Sequence, residues 1–108
     1  MSYQINFHPL VVRDLDVIAH LIISYSGHEV AARKLVEIEA VVTSLKDFPH
    51  RGSIRNEIVS GLRAIPAGRK AVIAFVVDDD AREVLIYAIS YGGSDWISRA
   101  SVRRMSDT

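Results

Sequence analysis

Cysteine is absent from the 108 residues, which excludes a disulfide framework, a thiolate nucleophile and any sulfur-ligated zinc or iron–sulfur centre. An excess of charge of either sign is lacking as well. Thirteen basic residues face thirteen acidic ones, so no whole-molecule field draws in a polyanion or an anionic membrane. The longest uninterrupted apolar run, Ala71 to Val77, is seven residues, against the roughly 20 that a membrane-spanning helix needs. Met1 to Asn6 lack the basic stretch and apolar core of a secretory signal. A soluble protein of the cytoplasm is the expectation. What is present is ordinary for a globular chain: 49% hydrophobic and 24% charged residues. This predicts one domain over residues 1–108, with its core at about 3–96 and a tail at 97–108.

The zero net charge is an average over unlike halves. Residues 1–50 carry Arg13, Arg33, Lys34 and Lys46 against Asp14, Asp16, Glu29, Glu37, Glu39 and Asp47, an acidic excess. Between residues 51 and 70, Arg51, Arg55, Arg63, Arg69 and Lys70 face only Glu57. Arg99, Arg103 and Arg104 form a second basic cluster near the end of the chain. Solvated surface patches account for both clusters unless other features single them out.

Periodicity divides the chain into elements. Tyr3, Ile5 and Phe7 alternate with Gln4 and Asn6, the pattern of a half-buried strand ended by His8-Pro9. Val11, Leu15, Ile18, Ile22 and Tyr25 then recur at spacings of four and three on one helical face, and Ser26-Gly27-His28 closes that helix. Ala31, Leu35, Ile38, Val42 and Leu45 repeat the pattern until Phe48-Pro49. Two such helices joined by about three residues predict an antiparallel helical hairpin. After the turn-prone His50-Arg51-Gly52-Ser53, the segments Ile58–Ile65, Lys70–Val77 and Glu83–Tyr91 read as three antiparallel strands. The middle one is apolar on both faces, so it is central. The hairpin covers one face of the sheet, and the other is left for a partner or for the tail around Trp96 and Ile97. The fold class is α+β, in the order β-α-α-β-β-β, with the hairpin packed on one face of a small, twisted, mostly antiparallel sheet.

Chemical signatures are sparse. The nucleophile elbow, the dinucleotide glycine motif and the phosphate loop are missing. His8, His20, His28 and His50 have no ligand spacing, so no metal and no cofactor is expected. Asp78-Asp79-Asp80 fits turn hydrogen bonding. Glu37 and Glu39, two apart on a helix, do not face each other and cannot work as an acid/base pair. The arginines stand out: Arg63 lies mid-strand, and the short turn bearing Arg69 and Lys70 is expected to bring all three close together. Tyr91 and Trp96 supply aromatic surface nearby. Such a group suits phosphate and base contacts and a protein hot spot equally.

The segments LKDFPHRG, GLRAIPAGRKAVIAFVVDD and VLIYAISYGGSDW, set in this order of elements, resemble the toxins of type II toxin–antitoxin modules in the RelE/ParE superfamily. The resemblance covers about Tyr3 to Trp96, and its most specific parts are Pro49 and Gly52, Leu62-Arg63, and Gly68-Arg69. It implies a toxin silenced by a cognate antitoxin, with operator DNA bound through the antitoxin. RelE-like members cut mRNA on the ribosome, whereas ParE-like members poison DNA gyrase. For the nuclease, the resemblance points to Arg51, Arg55 and Arg63. The arginine expected just after the last strand is replaced by Gly93 or Ser94, and no tyrosine follows Tyr91. The long paired helices and this incomplete set resemble the ParE-like branch, that of plasmid stabilisation. A growth-arresting gyrase inhibitor is therefore implied, with Arg63, Arg69, Lys70, Tyr91 and Trp96 on its target-binding surface. A toxin-like domain that acts only within a complex is the remaining alternative.

Overall fold

The computed structural model describes residues 2–93 and 96–106, apart from the side chains at 96, 99 and 104–106. The elements run β1 (Gln4–Phe7), α1 (Val11–Ser44), β2 (Ser53–Ile54), β3 (Leu62–Ala67), β4 (Ala71–Asp78), β5 (Glu83–Tyr91) and α2 (Trp96–Ser106). One five-stranded sheet has the order β1-β5-β4-β3-β2. β1 lies parallel to β5, and the other neighbours are antiparallel. No helix among the described residues is long and apolar enough to cross a membrane.

The predicted hairpin is drawn from a single run of helix. Helical structure continues through Ser26 and His28, and only Gly27 departs, at φ 88° and ψ 172°. That corner of backbone space is open essentially to glycine alone, so one residue does the work that the sequence assigned to three. The hydrogen bonds show that the chain folds back there. Tyr3 N donates to Lys46 O at 2.7 Å just past the end of α1, and Val11 N donates to His8 O at 3.0 Å at its start. Five extended residues, at most about 18 Å, therefore separate the two ends of a 34-residue element that would span about 51 Å if straight.

Both arms pack on the same face of the sheet. Ile18, Ile22, Ile38 and Val42 bury themselves against Ile73, Phe75, Ile86 and Ile89. Each such side chain contributes about 1.5–3 kcal/mol of burial free energy. The opposite face carries a smaller cluster, Val59, Leu62, Ala74, Tyr87, Ala88 and Ala100. Ala100 comes from α2, so the chain itself covers part of the second face. The segment read as a tail is an 11-residue helix.

The central position of β4 agrees with its pattern, and two other boundaries differ. The strand expected at Ile58–Ile65 begins at Leu62, because residues 55–61 make a tight loop instead. Asn56 Oδ1 accepts from Gly61 N at 2.8 Å, and Ile58 N donates to Arg55 O at 3.1 Å. β3 then runs on through Pro66, opposite Val72. Proline is tolerated there because the two-residue β2 pairs only with Arg63 and Ala64, leaving the outer side of Pro66 unpaired. The supposed turn at Gly52-Ser53 enters that short edge strand. At Gly52 (φ 80°), a Cβ would collide with the Ala64 carbonyl oxygen.

A bulge in β5 connects the two faces. Phe75 pairs with Ile86 and Ala74 with Ala88, leaving Tyr87 as the extra residue. β1 ends opposite Ile86. Just beyond it, Tyr87 O accepts from Arg103 Nη1 at 2.7 Å and Ile89 N donates to Asp14 Oδ2 at 3.0 Å. Arg103 and Asp14 also grip each other in a fork, at 2.6 and 2.7 Å. Both are about 95% buried. The pair ties the start of α1 to α2 across β5 and satisfies backbone groups past the end of β1. Arg103 is thus part of the interior, and the reading of its cluster as a solvated patch does not hold for it.

Candidate partner-binding surface

The sheet register separates the residues that the sequence grouped. Arg63 pairs with Ile54 and Phe75, four positions along β3 from Ala67, which adjoins the turn that carries Arg69 and Lys70. At about 3.3 Å per residue that is some 13 Å before the turn begins. Arg63 does not join Arg69 and Lys70. The expectation overlooked that a strand is extended, so residues close in sequence along it lie far apart in space.

At the Arg63 end, several neighbouring polar and charged groups engage one another. Arg63 Nη1 donates to Arg51 O at 3.4 Å, and Arg51 Nη1 donates to Ser44 Oγ at 2.6 Å. Arg55 Nε donates to Glu57 Oε2 at 2.6 Å. That bond, followed by Glu57's own backbone, holds the Glu57 carboxyl below its usual range. Tyr3 OH donates to Asp79 Oδ1 at 2.7 Å, and His50 Nε2 lies 2.7 Å from the same oxygen. A carboxylate only accepts, so Nε2 carries the proton. The Tyr3 bond first, and the His50 bond second, depress the Asp79 carboxyl, with a smaller contribution from the Arg63 charge. The same bond raises the Tyr3 phenol above its ordinary value. These contacts are exposed and link β1, the loop after α1 and the β4–β5 turn. The sequence reading passed over them because Tyr3, His50 and Asp79 come from three distant segments.

At the other end, Arg69, Lys70 and Tyr91 do come together. They line an open cleft of about 880 Å³ with Leu21, Tyr25 and Lys34 from either side of the Gly27 bend. Gly92 N donates to Lys70 O at 3.0 Å, fixing the end of β5 against the turn. Gly68 (φ 72°) admits Glu37 to the rim, because a Cβ there would collide with the Glu37 carboxylate. Lys34 lies 3.8 Å from Glu37, whereas neither Arg69 nor Lys70 has an ion-pair partner among the described residues. Lys34 and Tyr25 were missed as site residues. Tyr25 was read as core from its spacing, yet it is 83% exposed, two residues before the bend at Gly27. The side chain of Trp96, the fifth expected member, lies outside the described residues.

Against this geometry, one family profile, described as the ParE toxin of type II toxin–antitoxin system, parDE, matches residues 5–96. The chain belongs to the ParE toxin family. The match takes in both arms of α1 and all five strands but for the first residue of β1, and it ends where α2 begins. Among solved structures, this ParE-family chain is similar to one from the chromosomal ParDE system of P. aeruginosa, with a TM-score of 0.70 and 23% identity over 83% of this chain and 96% of that one. It also resembles an arginine-substituted mutant of the E. coli toxin RelE in the free state (TM-score 0.65, 11% identity, 97% and 99% covered). A third likeness is to a chain of the RelBE2 toxin–antitoxin complex of Mycobacterium tuberculosis (TM-score 0.59, 17% identity, 85% and 100% covered). At these identities the likenesses are of fold, and they agree with the α+β architecture. Comparison with curated proteins returns no match.

Proposed function

We propose that this toxin arrests growth by binding and inhibiting DNA gyrase in the cytoplasm, and that a cognate antitoxin neutralises it. The observation that carries the reading is the match of the ParE family across residues 5–96. The geometry supports a binder over a nuclease. Strand cleavage at a ribose 2′-hydroxyl needs a base, an acid and a cation converging on one phosphate. Arg51 and Arg55 are instead turned onto Ser44 and Glu57. The surface assigned to target binding is the cleft of Arg69, Lys70 and Tyr91, with Arg63 at the far end of β3.

The test is a supercoiling and cleavage-complex assay with purified protein. Inhibition at micromolar concentration is expected, weakened by Arg69→Glu. Unchanged gyrase activity at that concentration would end the gyrase reading. Codon-positioned cuts in translated mRNA, lost on Arg63→Ala, would replace it with the RelE-like one. Normal growth on expression of soluble protein without its antitoxin would leave a domain that acts only within a complex.

A further inference from the structure

The cleft at the bend is a cationic basin in a chain without net charge. Lys34, Arg69 and Lys70 line it, and no Asp or Glu does so among the described residues. Arg69 and Lys70 have no ion-pair partner among those residues, and Glu37 stands 3.8 Å from Lys34 at the rim. The cations come from the second arm of α1 and from the β3–β4 turn, which the bond from Gly92 N to Lys70 O ties to the end of β5. Like charges gathered in this way repel one another, so an anion entering the cleft relieves the repulsion. Aromatic surface adjoins them. Tyr91 lines the cleft from β5 and Tyr25 from the first arm of α1, with 83% of its surface exposed. The volume of about 880 Å³ falls within the roughly 300–1,000 Å³ of small-molecule sites.

We propose that this cleft is a binding site for a nucleoside triphosphate, its polyphosphate on Lys34, Arg69 and Lys70 and its base against Tyr25 and Tyr91. Guanidinium and ammonium groups are the side chains that hold phosphate oxygens, and an aromatic face stacks on any base. Charge favours a free nucleotide over a strand. A nucleic-acid backbone spreads its charges at about one per 3.4 Å of each strand and needs cations along its path. Here the cations are gathered in one place, and α1, which flanks them, belongs to the half of the chain with an acidic excess. A triphosphate concentrates its charge at one end and presents a single base at the other, which matches the cations and the tyrosines of the cleft. The inference does not rest on the gyrase reading, because the same side chains hold the nucleotide whichever protein the toxin inhibits.

Titration of the isotope-labelled full chain with ATP, followed through its amide chemical shifts, tests this. Saturable shifts centred on Lys34, Arg69, Lys70 and Tyr91 are expected, with a Kd between about 10 μM and 1 mM. Inorganic triphosphate should bind severalfold more weakly than ATP, and adenosine more weakly still. The R69E/K70E double variant should lose about tenfold or more in ATP affinity. Y25A should lose severalfold toward ATP and nothing toward triphosphate, a split that separates stacking from anion binding. All three substitutions sit at exposed positions, and an unchanged circular dichroism spectrum and melting temperature of the free variants verify folding. Absence of saturation at roughly 5 mM ATP, or equal ATP binding by wild type and both variants, would overturn the proposal. Equal affinity for ATP and triphosphate would also overturn it, leaving a general anion site. Tighter binding of a single-stranded DNA of about twelve nucleotides than of ATP would overturn it in favour of nucleic acid. If ATP binds through the cleft while wild-type protein leaves gyrase untouched, the gyrase reading fails and this one stands. If gyrase is inhibited and ATP shifts no resonance of the cleft, this one alone fails.

Discussion

Replacing Arg103 by Met keeps much of the side-chain volume and removes the guanidinium, which donates to both oxygens of Asp14 and to Tyr87 O. Asp14 is 4% exposed, so the variant leaves a carboxylate held away from water without its guanidinium partner, while Ile89 N still donates to it. Breaking a buried pair from one side costs about 3–5 kcal/mol, a large share of the roughly 5–15 kcal/mol that stabilises a domain of this size. At about 4–5 °C per kcal/mol near this chain length, the melting temperature should fall by about 12–25 °C. Adding Asp14→Asn removes the stranded charge and leaves an amide oxygen to accept from Ile89 N. The double variant should therefore recover about 1–3 kcal/mol, with Tyr87 O still short of its donor. Urea unfolding of the wild type, both single variants and the double variant, followed by circular dichroism at constant slope, measures the cycle. A loss below about 1 kcal/mol for Arg103→Met, or strictly additive single effects, would refute the role given to the pair.

Gly27→Ala should cost about 1–3 kcal/mol by strain alone, because nothing lies within 4 Å of the added Cβ; urea unfolding reads it, and a neutral result would mean that the bend tolerates other residues. Gly68→Ala adds left-handed strain to a collision with Glu37, so pairing it with Glu37→Ala should restore only the collision part of the lost stability, as thermal melts of the three variants would show. Asp79 titrates below its ordinary 3.8 in the folded state, so its contribution is complete above that value and is lost as pH falls through the depressed one. Tyr3 titrates above its ordinary 10.0, so its contribution is complete below that value and is lost as pH rises through the raised one. Asp79→Asn should therefore flatten the acid limb of a stability–pH profile and Tyr3→Phe the alkaline limb, and unchanged limbs would show that this exposed contact is unformed in solution.

Periodicity alone located both arms of α1, the bend at Gly27, the doubly buried β4 and the extent of β5, because burial on one or two faces writes itself into the spacing of apolar residues. The same patterns, with the quoted segments, were enough to mark the superfamily. Boundaries at β3 were not legible. The turn that delays its start depends on Asn56 reaching Gly61, and the passage through Pro66 depends on a two-residue neighbour that leaves that edge open. Asp14 did leave a trace, as a carboxylate three residues after Val11 and four before Ile18 on the buried face. Its partner was unreadable, since Arg103 lies 89 residues away and looks like any basic residue near a chain end.

The sequence by itself determined the composition of the two faces, the order of the hairpin arms and the long strands, the family, and the unequal halves behind a net charge of zero. The tertiary structure alone decided which charges act together. It parted Arg63 from Arg69 and Lys70 because a strand is rigidly extended, and it brought Lys34 and Tyr25 to them because one glycine turns a helix back on itself. It also drew Arg103 inside, where a bulge in β5 offers a carbonyl and α1 offers a carboxylate to the same guanidinium. Local patterns encode faces and periods; the meeting of distant side chains depends on register and on the path of the backbone between them.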